Sequence, residues 1–140
     1  MVDHLSKQVH VIPTTSDINL VGVALLFRDY IWRHHGLPEE IISDRGTQFV
    51  SQFMHELNKL LGIKTAASIA YHPQTDSQTE CINQEIEQWL RLFVNQCQDD
   101  WYEWVSLAEL TYNNRIHSST QMALFMLDNG QHPRLGVEPI

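Results

Sequence analysis

The sequence predicts an α/β fold, and three observations carry that prediction. Short alternating or apolar runs recur between longer stretches with helical spacing. A glycine or proline closes several of those helical stretches. The 140 residues are 43% hydrophobic and 9% aromatic, enough for residues 1–140 to bury a core as a single domain.

The elements follow in order. Gln8–Pro13 alternates polar and apolar residues, with Val9 and Val11 on one side, and reads as a short strand ended by Pro13. Thr14–Asp17 supplies turn and cap residues. A helix then runs from Ile18 to His34, its inner stripe formed by Leu20, Ala24, Phe27 and Ile31, and Gly36 with Pro38 stops it. Glu40–Ser43 is a short buried strand. Thr47 or Ser51 opens a helix with Phe49, Phe53, Leu57 and Leu60 facing inward, closed by Gly62. Ile63–Ile69 reads as a further strand, and Ala70–Thr79 as a loop turning at Pro73 and Asp76-Ser77.

The carboxyl-terminal half is helix-rich. Glu80–Cys97 carries Ile82, Ile86, Trp89 or Leu90, and Phe93 on one stripe. Asp99 or Asp100 caps a second helix with Trp101, Trp104 or Val105, Ala108 and Tyr112 on its stripe. A loop follows Asn113, then a short helical piece at Leu124–Leu127, then Gly130 and Pro133.

Charge bounds the function. Seventeen acids against nine Lys and Arg give −8, which argues against strong unaided nucleic-acid binding. A DNA function would need metal ions, a local patch or additional basic domains. No apolar run approaches eighteen residues, so no membrane span is expected. The amino terminus lacks a signal-peptide pattern, and an intracellular location, nuclear or cytoplasmic, is expected. Cys81 and Cys97, on one expected helix, would lie roughly 24 Å apart along its axis and stay free thiols.

Two carboxylates stand out. Asp44 follows a buried strand, where catalytic carboxylates of α/β proteins often sit, but from spacing alone a plain cap for the helix starting at Gly46 or Thr47 is the favoured reading. Glu80 opens a helical pattern, as a metal ligand or as a first-turn acid complementing the helix dipole. Tyr71, His72 and Gln74 share a polar loop near Glu80 in sequence, suited to a nucleic-acid backbone or to plain solvent. His34, His35, His72 and His117 lack the cysteine spacing of a zinc site. Trp89, Trp101 and Trp104 fall on apolar stripes and read as core packing.

Taken together, SDRGTQF, LGIK, AYHPQTDSQTE, NQEIEQWLR and DWYEW through TYNNRIHSST resemble the integrase of gypsy-type long-terminal-repeat retrotransposons. The resemblance runs from VDHLSK to QHPR. Thirty-five residues lie between Asp44 and Glu80, the spacing of the last two acids in the retroviral integrase triad. It implies a ribonuclease H-like core that joins a DNA end to target DNA. Two divalent metals, Mg²⁺ or Mn²⁺, would be held by two aspartates and a glutamate. Asp44 would be the second aspartate and Glu80 the glutamate, with Tyr71, His72, Gln74 and Asn83 on the DNA-facing side.

There are departures from the family pattern. Its first strand and most of its second, with the first catalytic aspartate, precede the position matched by Met1; Asp3 matches a non-catalytic position. Ser77 stands where glycine is usual, Cys81 where arginine is usual, and Ala123-Leu124 replaces a Ser/Thr-Pro pair. Impaired catalysis is therefore expected of this chain. The alternative is a repurposed, non-catalytic remnant acting through self-association or through partner or nucleic-acid binding. Loss of a central strand leaves an unpaired edge, so a homo-oligomer such as a dimer is expected.

Overall fold

The computed structural model describes residues 1–64, 70–72, 77–96 and 98–136; of 70–72 and 77 only the backbone is described. The chain divides into two compact units. One comprises Thr14–Gln78, and the other combines Met1–Pro13 with Thr79–Ile140.

In the Thr14–Gln78 unit, helix α1 (Leu20–Phe27) starts two residues later than its apolar stripe suggested. The reason is Asn19, whose Oδ1 accepts the Gly22 N–H at 2.8 Å and fixes the amino-terminal turn. The helix widens into a π-helical stretch, Arg28–Trp32, and ends as α2 (Arg33–His35), with Gly36 at positive φ beyond it. Helix α3 (Gly46–Leu61) packs on α1. Between them Ala24, Phe27, Phe53 and Leu57 form a buried cluster, and Phe27 and Phe53 meet edge-to-face with centroids 5.3 Å apart. The expected inward stripes of both helices thus meet each other. Gly62, left-handed at φ 68°, closes α3, where its N–H and that of Ile63 bond back to the Lys59 and Asn58 carbonyls.

Strand β1 (Glu40–Ile42) pairs in parallel with β2 (Ala70–His72), Ile42 opposite His72, and α3 is the crossover between them. β2 corrects the loop reading of Ala70–Thr79. A partner strand thirty residues upstream recruits this backbone, which no local pattern announces. Ile63 and Lys64 are not strand, and the remainder of the expected Ile63–Ile69 strand lies outside the described residues.

In the other unit, the expected Gln8–Pro13 strand is reduced to a bridge between Val9 and Val2. Met1–His10 folds into a small hairpin, with Asp3 N–H to Gln8 C=O at 2.9 Å and His10 N–H to Met1 C=O at 2.9 Å. The far side of this backbone is met by side chains instead of a strand. Asn113 Oδ1 accepts the Val9 N–H at 2.9 Å, and its Nδ2 donates to the Val9 carbonyl at 2.8 Å. Glu109 Oε2 accepts the Val11 N–H at 2.8 Å.

Helix α4 (Ser77–Leu90) begins three residues before the expected start and ends seven before Cys97. It stops because Leu92 and Phe93 bond three residues back, tightening the turn, and Asn95 Oδ1 then captures the Gln98 N–H at 2.7 Å. Cys97 lies outside the described residues, and Cys81 is a free, exposed thiol on α4. Asp100 is the cap residue of α5 (Trp101–Asn113), but its carboxylate is turned to the Trp104 indole N–H and the Asn95 N–H, both at 3.1 Å. Ile82 and Ile86 of α4, Ala108 of α5 and Val9 form this unit's buried cluster. Helix α6 (Leu124–Asn129) follows an Ile116–Ala123 bridge and ends at left-handed Gly130.

Phe93 stacks on Trp89 with centroids 4.4 Å apart and lies 5.6 Å from Trp104. Trp101, expected in the core, is instead exposed. Farther along α5, Val105 and Ala108 are buried, and Ala108 joins the cluster. No helix among the described residues is long and apolar enough to cross a membrane.

Candidate metal and nucleic-acid site

Asp44 sits two residues past the carboxyl end of β1, one residue before the cap of α3. The capping alternative for it is not what the structure shows. Arg45 occupies the cap position, its N–H donates to Ser43 Oγ at 3.2 Å, and its guanidinium turns over the Phe49 ring at 5.3 Å. The Asp44 side chain is exposed and its carboxylate has no hydrogen bond or ion pair among the described residues.

Glu80 lies in the first turn of α4, also exposed and likewise uncommitted among the described residues. It belongs to the Thr79–Ile140 part of one unit, whereas Asp44 belongs to the other. Cys81, beside Glu80, and Asn83 are both exposed. Tyr71 and His72 are placed by their backbone on β2, and the parallel register sets His72 at the same sheet end as Ile42, the residue two before Asp44. Gln74 lies outside the described residues.

Most acids elsewhere are committed. Asp3 closes the amino-terminal turn, accepting from the Leu5 and Ser6 N–H groups at 3.1 Å and from Ser6 Oγ at 2.5 Å. That local role engages both of its oxygens. Glu85 pairs with Arg115, Glu87 with Arg91 and Asp29 with Arg28. Glu109 carries the Val11 N–H and pairs with His10 Nδ1 at 3.5 Å when that ring is protonated.

The donor chemistry of Asp44 and Glu80 suits a hard divalent ion. Mg²⁺ is usually held by one or two carboxylates, with waters and substrate phosphates completing its shell. No group of three or more His, Cys, Asp or Glu side chains gathers as a ready-made ligand set among the described residues.

Sequence reading did not single out Asn113 and Glu109, the two side chains that hold the amino-terminal segment. Asn113 has a faint signal, an amide ending an otherwise apolar stripe that Tyr112 and Ala108 set up; Glu109 has none, because its partner is a backbone group 98 residues away.

Comparison with known sequences adds ancestry. Over 139 residues, 96% of its length, the chain is 36% identical to the Transposon Tf2-3 polyprotein of Schizosaccharomyces pombe, and to the same extent to the Tf2-4 and Tf2-5 polyproteins of that yeast. It spans 10% of the length of these curated relatives. No family model matches the chain. The chain is thus related in sequence to a segment of retrotransposon polyproteins.

Proposed function

We propose that this chain is a segment of a retrotransposon integrase catalytic core of ribonuclease H-like type, serving metal-dependent polynucleotidyl transfer on DNA. The observation that carries the reading is a pair of acids, uncommitted among the described residues, that come after successive parallel strands. Asp44 follows β1 and Glu80 follows β2, in a chain whose similarity to transposon polyproteins extends over nearly all of its length.

In this reading Asp44 and Glu80 hold a divalent cation, Mg²⁺ or Mn²⁺. When bound, that ion supplies Lewis-acid activation of an attacking oxygen and stabilises charge on the leaving oxygen. The protein's own contribution is placement. β1 and its pairing with β2 fix the backbone from which Asp44 projects, and the first turn of α4 fixes Glu80. Tyr71, His72, Gln74 and Asn83 belong to the DNA-facing side, and the helix α4 amino terminus favours an anionic partner there. Self-association accompanies this role, with a second copy as partner.

The test is Mn²⁺ titration followed by NMR. Line broadening is expected first at residues 43–46 and 79–82, and to fade with either Asp44→Asn or Glu80→Gln. Broadening centred elsewhere, or surviving both substitutions, refutes the metal assignment. Nicking of supercoiled DNA in Mn²⁺ is expected to vanish in the same variants if it occurs; activity that persists in both belongs to another site or another protein.

A further inference from the structure

The stretch Arg28–His35 reverses the sign of the chain. The protein carries −8, yet these eight residues hold two arginines and two histidines against one acid, Asp29. That acid is already neutralised. Arg28 Nε bonds its Oδ1 at 2.8 Å, and this bond, then the charges of Arg28 and Arg33, hold the Asp29 carboxyl below its ordinary range.

The backbone here is π-helical over Arg28–Trp32, a wider turn that recurs at functional positions. Phe27 is buried in the cluster with Phe53 and Leu57, and Ile31 packs against that cluster. Tyr30 and Trp32, on either side of Ile31, are left 48% and 37% exposed. Arg33, His34 and His35 follow, all exposed. Arg33 Nε donates to His34 Nε2 at 3.1 Å.

With Arg28 held by Asp29, two exposed rings and the Arg33 guanidinium remain, and these are what an unpaired base and its phosphate require. A paired base is already stacked on its neighbours and offers no free face to Tyr30 or Trp32, whereas a single strand offers one at every nucleotide. Guanidinium supplies phosphate contacts that an ammonium or imidazole supplies less well. The acidic remainder of the molecule keeps such binding weak, and the phosphate contact makes it salt-sensitive. We infer that Tyr30, Trp32 and Arg33, on the π-helical end of α1, form a binding surface for single-stranded nucleic acid. The surface is independent of metal and of the Asp44 and Glu80 reading.

The experiment is fluorescence anisotropy of labelled dT12 and rU12 in EDTA at low salt, with a dA12–dT12 duplex and a poly-glutamate peptide as competitors. Both single strands are expected to bind, and neither competitor to displace them at equal charge. A preference for rU12 over dT12 would identify RNA as the natural ligand, and the reverse DNA. Trp32→Ala is expected to weaken binding about tenfold, the order of one lost base stack. Arg33→Gln is expected to lower the log–log salt slope by about 0.7, one phosphate contact on a single strand. Trp101→Ala removes a ring of similar exposure, 39%, set among the acids Asp99, Asp100 and Glu103, and is expected to change nothing. All three positions are outside the buried clusters, so unchanged circular dichroism should accompany each result. No binding by the parent chain, equal displacement by duplex or peptide, or full binding by the doubly substituted Tyr30→Ala, Trp32→Ala chain overturns the inference.

Discussion

Asn113 is the most buried polar residue described in its unit, and its stability role can be tested directly. It is 3% exposed, and both ends of its amide are bonded to the N–H and C=O of Val9, itself 2% exposed. Asn113→Ala leaves that donor and that acceptor buried without partners. Each unmade bond costs about 1–3 kcal/mol, so a loss of about 3 kcal/mol is expected, reduced from the upper bound if water enters the space. With a urea dependence of about 2 kcal/mol per molar, the unfolding midpoint should fall by roughly 1.5 M. Asn113→Asp sharpens the test. Its carboxylate accepts from the Val9 N–H as before but repels the Val9 carbonyl, so burial and repulsion raise its folded pKa above the unfolded carboxylate value. A raised folded pKa means stability fully present below the unfolded pKa and lost as pH rises through the folded one. The gap between this variant and the parent should therefore narrow in acid. Urea unfolding followed by circular dichroism measures both, and exchange of the Val9 amide reports the bond itself. A change under 0.5 kcal/mol with Val9 protection intact would refute the claim that this amide replaces a partner strand.

Three further outcomes follow from local geometry. Leu57 is fully buried among Ala24, Phe27 and Phe53, so Leu57→Ala should cost about 3–5 kcal/mol in chemical unfolding; a cost under 1 kcal/mol would mean the α1–α3 cluster is loosely packed. Gly62 ends α3 at φ 68° with open space where a Cβ would project, so Gly62→Ala should cost only the left-handed backbone strain, about 1–2 kcal/mol, and Gly62→Asn less. The Trp104 indole bond, then the Asn95 N–H, holds the Asp100 carboxyl below its ordinary 3.8. A depressed folded pKa gives stability present above the unfolded pKa and lost as pH falls through the folded value. Asp100→Asn should therefore lower the thermal midpoint at neutral pH and converge with the parent in acid, and the Trp104 Nε1–H resonance should titrate with a midpoint under 3.8. A midpoint at or above 3.8 would count against the bond.

Most elements that were legible in the sequence have helices as partners; β1, expected over Glu40–Ser43 and found at Glu40–Ile42, is the exception. The stripes Leu20–Ile31 and Phe49–Leu60 are periodic by themselves, and each needs only an apolar face opposite, which the other supplies. Gly62 and Gly130 were legible for a related reason, since a left-handed closing residue follows from one backbone conformation. Strands carry no such self-sufficiency. Val9–Val11 alternates as a strand should, but alternation only says that one face is buried; it does not say what meets the N–H and C=O groups. Here Asn113 and Glu109 meet them, from about a hundred residues away, and the segment stays a bridge and a turn. Ala70–His72 is the mirror case. Its composition reads as loop, yet a free edge on β1 makes it strand. The candidate site inherits the same division. Asp44 and Glu80 were legible as acids at the ends of elements, and the structure removes the capping alternative for Asp44 by giving the cap position to Arg45. The acids Asp3, Asp29, Glu85, Glu87, Asp100 and Glu109 have work to do inside the protein, while Asp44 and Glu80, like Glu39, Glu56 and Asp128, have none among the described residues; what sets the two apart is that Asp44 follows β1 and Glu80 opens α4. Glu80 gains at most the modest dipole interaction of a first-turn acid and exposed Asp44 has no partner among the described residues, so their interest lies in what they are free to bind.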